Sequence, residues 1–548
     1  MTGLRPALLA LLLYTALSWL LFCHGASPTG HIFGYGTDPD LIIWFLAWWP
    51  WALLHHALTL HTHLLWQPVG LNLGWTTNVP LLALLASPIT LTAGPLAAFN
   101  LLVLAAPALA GWAAYLLCRG LGAAAKAAFC GGLVFGFSSY TAAQSFDHLN
   151  LDFTALIPLI LLVALRRLRG EAGRGATVLW LGLLLGGEFL ISEEILATFC
   201  LFAAIAFLLA YVFEPRHRPA LRTLALDIAL AAPLALLPGA PILLAMAKGA
   251  HDIAHPPGWT VFFSVDALNL LFPTEASWFG GRVFTPVSHH FTGALDEQTG
   301  YLGLPALLLL GAVLCDAGLR RILWLPLTML GIVVLAACGP LLHLGGHVTG
   351  LPLPWALIAP LPLLGAALPA RCMVYAFLAL ALILSCWLSA APVRRRWIAA
   401  ACICLSLLPA PHSALLSPVS AFFRPGRVQQ ILGPSPRLLI LPFGIVGEGS
   451  FWQAESGFSF TQVGGYLGYP PAWAQNDPAV MPLFASKPDS SLAPDLARLS
   501  QLRGVQYVVA GPGTPPEDTA ALASLGWSAQ KIDDVTIYTV PPPSARTP

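Results

Sequence analysis

Long uninterrupted apolar blocks dominate this chain, and no other feature constrains its fold as tightly. Blocks able to cross a bilayer as helices run over 6–23, 96–118, 127–144, 151–165, 176–191, 195–213, 223–246, 301–318, 322–338, 372–391 and 397–410. That is about eleven spans, for a hydrocarbon core that takes roughly 20 apolar residues per helix. Only 9% of the 548 residues are charged and 57% are hydrophobic, where soluble domains carry about 25% charged residues. The expectation is an α-helical polytopic membrane protein. With 26 Lys+Arg against 25 Asp+Glu, a generally basic, nucleic-acid-binding character is excluded.

The placement of the basic residues sets the orientation. With the N-terminus inside beside Arg5, the inward connections hold Arg119 with Lys126, then Arg166, Arg167, Arg169 and Arg174. After them come Arg216, Arg218 and Arg222, then Arg320 with Arg321, and finally Arg394, Arg395 and Arg396. Fifteen of the 18 Lys/Arg before Leu415 then lie inside, as the positive-inside rule requires. The stretch 6–23 could serve as a signal peptide, but its length and the spans that follow favour an uncleaved first span. The segment 79–92 is short and holds Pro80 and Pro88; a full crossing there would invert every later loop, so it reads as interfacial or re-entrant.

Three long connections then fall outside, at 24–78, 247–300 and 339–371. The first carries six of the chain's 18 tryptophans, which fits an aromatic helix with Pro50 lying at headgroup level. The third is punctuated by Gly339-Pro340 and Gly345-Gly346, too often for a single span. After about 411 charges and turn residues return, with strand-like runs at 437–442, 505–510 and 535–540 and helical stretches between them. The division expected is a membrane domain over 1–410 and a small extracytoplasmic α/β domain over 411–548, with a disordered tail at 541–548. The ten cysteines sit in or beside apolar blocks without zinc-site spacing and read as apolar fillers. There is no P-loop, no nucleophile elbow and no zincin motif, so an ATP-driven pump and a zincin are unsupported.

Candidate chemistry gathers on the outer side. Gly36-Thr37-Asp38-Pro39-Asp40 follows the first span closely; its two carboxylates suit a divalent cation or a general base, and its residue types equally suit a turn. Phe146-Asp147-His148-Leu149-Asn150-Leu151-Asp152 offers donors and acceptors to a hydroxyl-rich ligand, or simply caps the next helix. Glu188, Glu193 and Glu194 stand at span ends, where a carboxylate is costly unless it meets a wet cavity. Arg371, with Lys248 and Arg282, is one of three basic residues placed outside before Leu415. Its guanidinium suits bidentate phosphate binding, the alternative being snorkelling to headgroups.

Taken together, these residues resemble the GT-C superfamily of integral-membrane glycosyltransferases, and within it bacterial members with a Gly-Asp-Pro motif and a tryptophan-rich helix. Pro68-Val69-Gly70-Leu71-Asn72-Leu73 matches those members' Pro-x-Gly-x-x-Leu segment, and Asp147-His148-Leu149 matches their Gly-His-Leu turn. Asp266-Ala267-Leu268-Asn269-Leu270-Leu271 and Glu297-Gln298-Thr299-Gly300-Tyr301-Leu302-Gly303 are also similar. Two departures stand out. Thr37 is inserted into the first motif, leaving either Asp38 or Asp40 for the catalytic place, and Asp147 replaces the glycine of the turn.

The resemblance implies an inverting glycosyltransferase of the inner membrane that moves a sugar from a polyprenyl-phosphate donor to an envelope glycan, lipid or protein acceptor on the outer face. Asp38 or Asp40 would be catalytic, Arg371 would hold the departing phosphate, and Asp147, His148, Glu194 and Glu297 would bind substrate. A divalent cation is a possible cofactor. The competing expectations are a lipid or polysaccharide transporter and a non-catalytic envelope-assembly protein.

Overall fold

The computed structural model describes residues 4–23, 25–34, 37–145, 147–249, 258–361, 364–411, 415–416, 419–485 and 492–542. Gly36, Phe146 and all but the first two residues of the 541–548 tail lie outside them. Two compact units are woven from separated stretches of chain. The first takes Met1–Ser27, Leu101–Gly239 and Pro256–Ala414; the second takes Pro28–Asn100, Ala240–His255 and Leu415–Pro548.

Among the described residues, six helices are long and apolar enough to cross a membrane: Leu4–Cys23, Pro95–Gly120, Leu149–Leu168, Glu193–Phe213, Pro215–Leu236 and Pro369–Ala390. The remaining expected ranges hold shorter helices. The block 127–144, for instance, divides into Ala125–Gly136 and Ser139–Gln144. Ser138 makes that division by turning its hydroxyl onto the Thr141 amide at 3.3 Å, an N-cap that starts a new helix inside an apolar run.

In the first unit the helix Met373–Ala390 is the core: fourteen of its residues are buried, from Met373 through Leu388. It packs on Ala125–Gly136 and on Trp324–Ala337. Small residues permit the approach, since a side chain at Gly131 would meet Cys118 Sγ at 2.9 Å and the Ala381 carbonyl at 3.0 Å. Tyr14 ties the first helix to the same layer, stacking on Phe129 with centroids 4.8 Å apart and donating to its carbonyl at 2.9 Å. Buried Asp227 accepts from Arg167 at 2.5 Å and from Arg174 at 2.9 Å.

The third long loop folds as a hairpin, Leu341–Leu344 with His347–Pro352. It turns at Gly345 and Gly346, whose φ angles of 59° and 82° suit glycine. Asp266 holds that turn by accepting from both amides, at 3.0 and 2.7 Å.

In the second unit a five-stranded sheet runs in the order Ser528–Ile532, Val535–Thr539, Tyr507–Ala510, Arg437–Leu441, Thr461–Gln462. The first three strands alternate in direction, each antiparallel to the next, and Arg437–Leu441 lies parallel to both of its neighbours. The first loop joins this unit: Gln67 donates to Gln462 at 2.9 Å, and Gln462 returns a bond to Leu64 at 2.9 Å. The helix Asp38–Leu54 is buried without a break along Leu41–Trp48, so over that stretch it is a core element of its unit with no face left for headgroups. The reason is a partner far along the chain. The helix Gly449–Glu455 packs against it, and Gln453 accepts from the Trp44 indole at 2.9 Å.

Candidate functional site

Two groups of candidate residues emerge, one in each unit. In the first unit, Arg371 sits on the 3-10 turn Pro369–Cys372 that leads into the core helix. Its Nε donates to Glu297 Oε1 at 2.8 Å, and a second nitrogen, Nη2, reaches the same oxygen. Nη1 donates to Glu194 Oε2 at 2.5 Å. Glu194 stands in the first turn of Glu193–Phe213, where the helix N-terminus favours a carboxylate, and its Oε1 accepts from the Leu368 amide at 2.8 Å. Three predicted residues that are 177 and 74 positions apart in sequence thus form one ion cluster.

Asp147 and His148 stand beside it. Both backbone amides bond to the Gln144 carbonyl, at 3.2 and 2.9 Å. His148 Nδ1 lies 3.7 Å from Asp296 Oδ2. Asp296 was not singled out by its sequence; the signal available was its pairing with Glu297 on an outer loop. Asp152 and Glu188 are buried with no hydrogen-bond partner for either carboxylate oxygen among the described residues.

In the second unit, Asp38 and Asp40 open the helix Asp38–Leu54, with Pro39 in its first turn. Residues two apart on a helix do not face each other, and their partners differ. The Tyr466 hydroxyl donates to Asp38 Oδ1 at 2.5 Å. Asp40 is buried and shares a hydrogen bond with the Glu448 carboxyl, whose proton affinity burial pushes up while that bond pulls it down. Tyr466 is fixed in turn by Ser450, whose hydroxyl donates to the Tyr466 carbonyl at 2.8 Å and accepts from its amide at 3.0 Å. Tyr466 and Glu448 escaped the sequence analysis. The clue for Tyr466 was Gly464-Gly465-Tyr466-Leu467-Gly468, where all three glycines take positive φ.

A family model described as a domain of unknown function, DUF6311, matches residues 8–408, and the chain belongs to that family. No curated protein sequence matches it. Among solved structures, arabinofuranosyltransferase AftD from Mycobacteria is similar over 98% of this chain and 40% of that one, with TM-score 0.61 and 14% identity. A mutant form of AftD gives TM-score 0.59 at 14% identity, over 99% of this chain and 42% of that one. The apo oligosaccharyltransferase of Archaeoglobus fulgidus gives TM-score 0.49 at 12% identity, over 95% of this chain and 71% of that one. The chain therefore spans about two-fifths of the length of AftD. At that level of identity the likeness shows a fold shared with AftD.

Proposed function

We propose that this DUF6311 protein is a membrane glycosyltransferase, transferring a sugar from a polyprenyl-phosphate donor to an envelope glycan, lipid or protein on the outer face of the inner membrane. AftD is an arabinofuranosyltransferase by name, and the shared fold supports the reaction class. The observation that carries the reading is Asp38: a carboxylate in the first turn of a helix, held in one orientation by the Tyr466 hydroxyl.

The chemistry follows from that group. Asp38 accepts the proton of the acceptor hydroxyl as its oxygen attacks the anomeric carbon. The new glycosidic bond forms while the bond from that carbon to the phosphate oxygen breaks, and the lipid phosphate leaves with the electron pair. A single displacement of this kind inverts the anomeric centre. In the first unit Arg371 uses three of its five N–H donors on Glu194 and Glu297, leaving two for phosphate oxygens. Glu194 and Glu297 orient the guanidinium; Asp147 and His148 serve substrate.

A transporter is the second reading, and buried Asp152 and Glu188 are what favours it. Both stand at the ends of helical segments rather than mid-helix, which supports the enzyme. One experiment separates the two: purified wild type and Asp38→Asn are assayed for transfer from labelled polyprenyl-phosphate sugars. The enzyme reading expects transfer by wild type and a loss of about 10²–10⁴-fold in the variant. Donor binding without any transfer by wild type would establish the transporter instead.

A further inference from the structure

The turn that carries Asp147 and His148 holds more than a polar contact. One carboxylate oxygen of Asp147, one imidazole nitrogen of His148 and one carboxylate oxygen of Asp296 all lie within 4.8 Å of one another. Ligands about 2.0–2.2 Å from a metal stand roughly 3–4.4 Å apart in its shell, so the triangle needs only a small contraction to close on an ion.

Gln144 supplies a second, separate observation. It is fully buried, and it clamps the two loops that carry the triangle. Its backbone carbonyl takes the amides of Asp147 and His148. Its Nε2 donates to the Asp296 carbonyl at 2.9 Å and faces Glu297 Oε2 at 3.5 Å. Among the described residues its Oε1 is buried with no donor, an amide oxygen that a cation, or a water on one, would satisfy. Charge points the same way: the triangle brings two carboxylates to one imidazole, while Arg371 is engaged by Glu194 and Glu297.

We propose that Asp147, His148 and Asp296 bind one divalent cation, of the Mn²⁺ or Zn²⁺ kind that accepts carboxylate and imidazole together, and that its open positions receive oxygens of a lipid phosphate. The metal site stands on the residues alone; the lipid phosphate rests on the glycosyltransferase reading. Glu297, next to Asp296 in sequence, bonds Arg371, so cation and guanidinium are joined through one dipeptide.

The test uses the full-length protein in detergent, stripped with EDTA and titrated with MnCl₂ while bound metal is followed by electron paramagnetic resonance. One Mn²⁺ per chain is expected, with nitrogen coupling from one imidazole. His148→Gln should remove that coupling, and Asp296→Asn should weaken binding at least 10-fold. Adding undecaprenyl phosphate should introduce phosphorus coupling. No stoichiometric Mn²⁺ in wild type, or bound Mn²⁺ without nitrogen coupling, overturns the site, and neither result depends on a variant that folds. Metal bound without phosphorus coupling overturns the lipid-phosphate role alone. Metal and phosphate bound with no sugar transfer leaves the site standing and sinks the glycosyltransferase reading.

Discussion

At the residue scale, the informative groups are those whose partners limit what they can do. Arg371 is shared by two carboxylates, one of them on the almost fully buried Glu297. Removing the cation strands both acids, and breaking a buried pair costs about 3–5 kcal/mol. Arg371→Ala is therefore expected to melt well below wild type, and Arg371→Ala combined with Glu297→Gln should recover part of the loss, as read by thermal unfolding in a double-mutant cycle. Equal melting of wild type and Arg371→Ala would show that the cluster contributes nothing to stability. Tyr466 belongs to a different class. It acts through Asp38, and a hydrogen bond to a charged group contributes about 1.5–3 kcal/mol. Tyr466→Phe should lower kcat roughly 10–100-fold with KM for the donor unchanged; a rise in KM alone would make Tyr466 a binding residue.

At the scale of elements, the helix Pro516–Ser524 carries a buried acid in its first turn. Burial, with Glu517 beside it, pushes the Asp518 carboxyl up to about 6 from an ordinary 3.8. The folded state therefore holds this carboxyl's proton more tightly than the unfolded chain does, so the contribution is complete below pH 3.8 and is lost as pH rises through about 6. Asp518→Asn should accordingly raise the melting temperature at pH 8 relative to wild type and leave it nearly unchanged at pH 4. A uniform effect at both would assign the change to packing. Strands show equally well what sequence can reveal. The runs at 437–442, 505–510 and 535–540 coincide with Arg437–Leu441, Tyr507–Ala510 and Val535–Thr539 because those strands bury β-branched and aliphatic side chains. Ser528–Ile532 escaped because it is an edge strand with four exposed residues and no buried face to impose alternation.

At the scale of the whole molecule, six of the apolar blocks were legible as spanning-length helices because a bilayer fixes the length of a crossing, while the sorting of Lys and Arg gives an orientation that experiment can test. Reporter fusions after Arg174 and Arg396 should read cytoplasmic, and one after Pro411 periplasmic; a cytoplasmic reading after Pro411 would reverse the topology drawn from the charges. The two groups of candidate residues were legible by residue type alone. Asp38, Arg371, Glu194 and Glu297 stood out as carboxylates and a guanidinium in connections otherwise poor in basic charge. Their partners did not stand out, because Tyr466 meets Asp38 across 428 positions and no local period or spacing signals a contact that distant.

The interleaving of the second unit also has a consequence in time. Trp44 meets Gln453 across 409 positions, so at the roughly 5–20 residues per second of chain elongation the first loop waits about 20–80 s for its partner to be made. Throughout that interval Trp44 and Trp48, fully enclosed in the finished protein, lack the cover that Gly449–Glu455 gives their helix. The ribosome's pace, rather than any bond within the loop, sets how long this segment is open to proteases and to association with its neighbours.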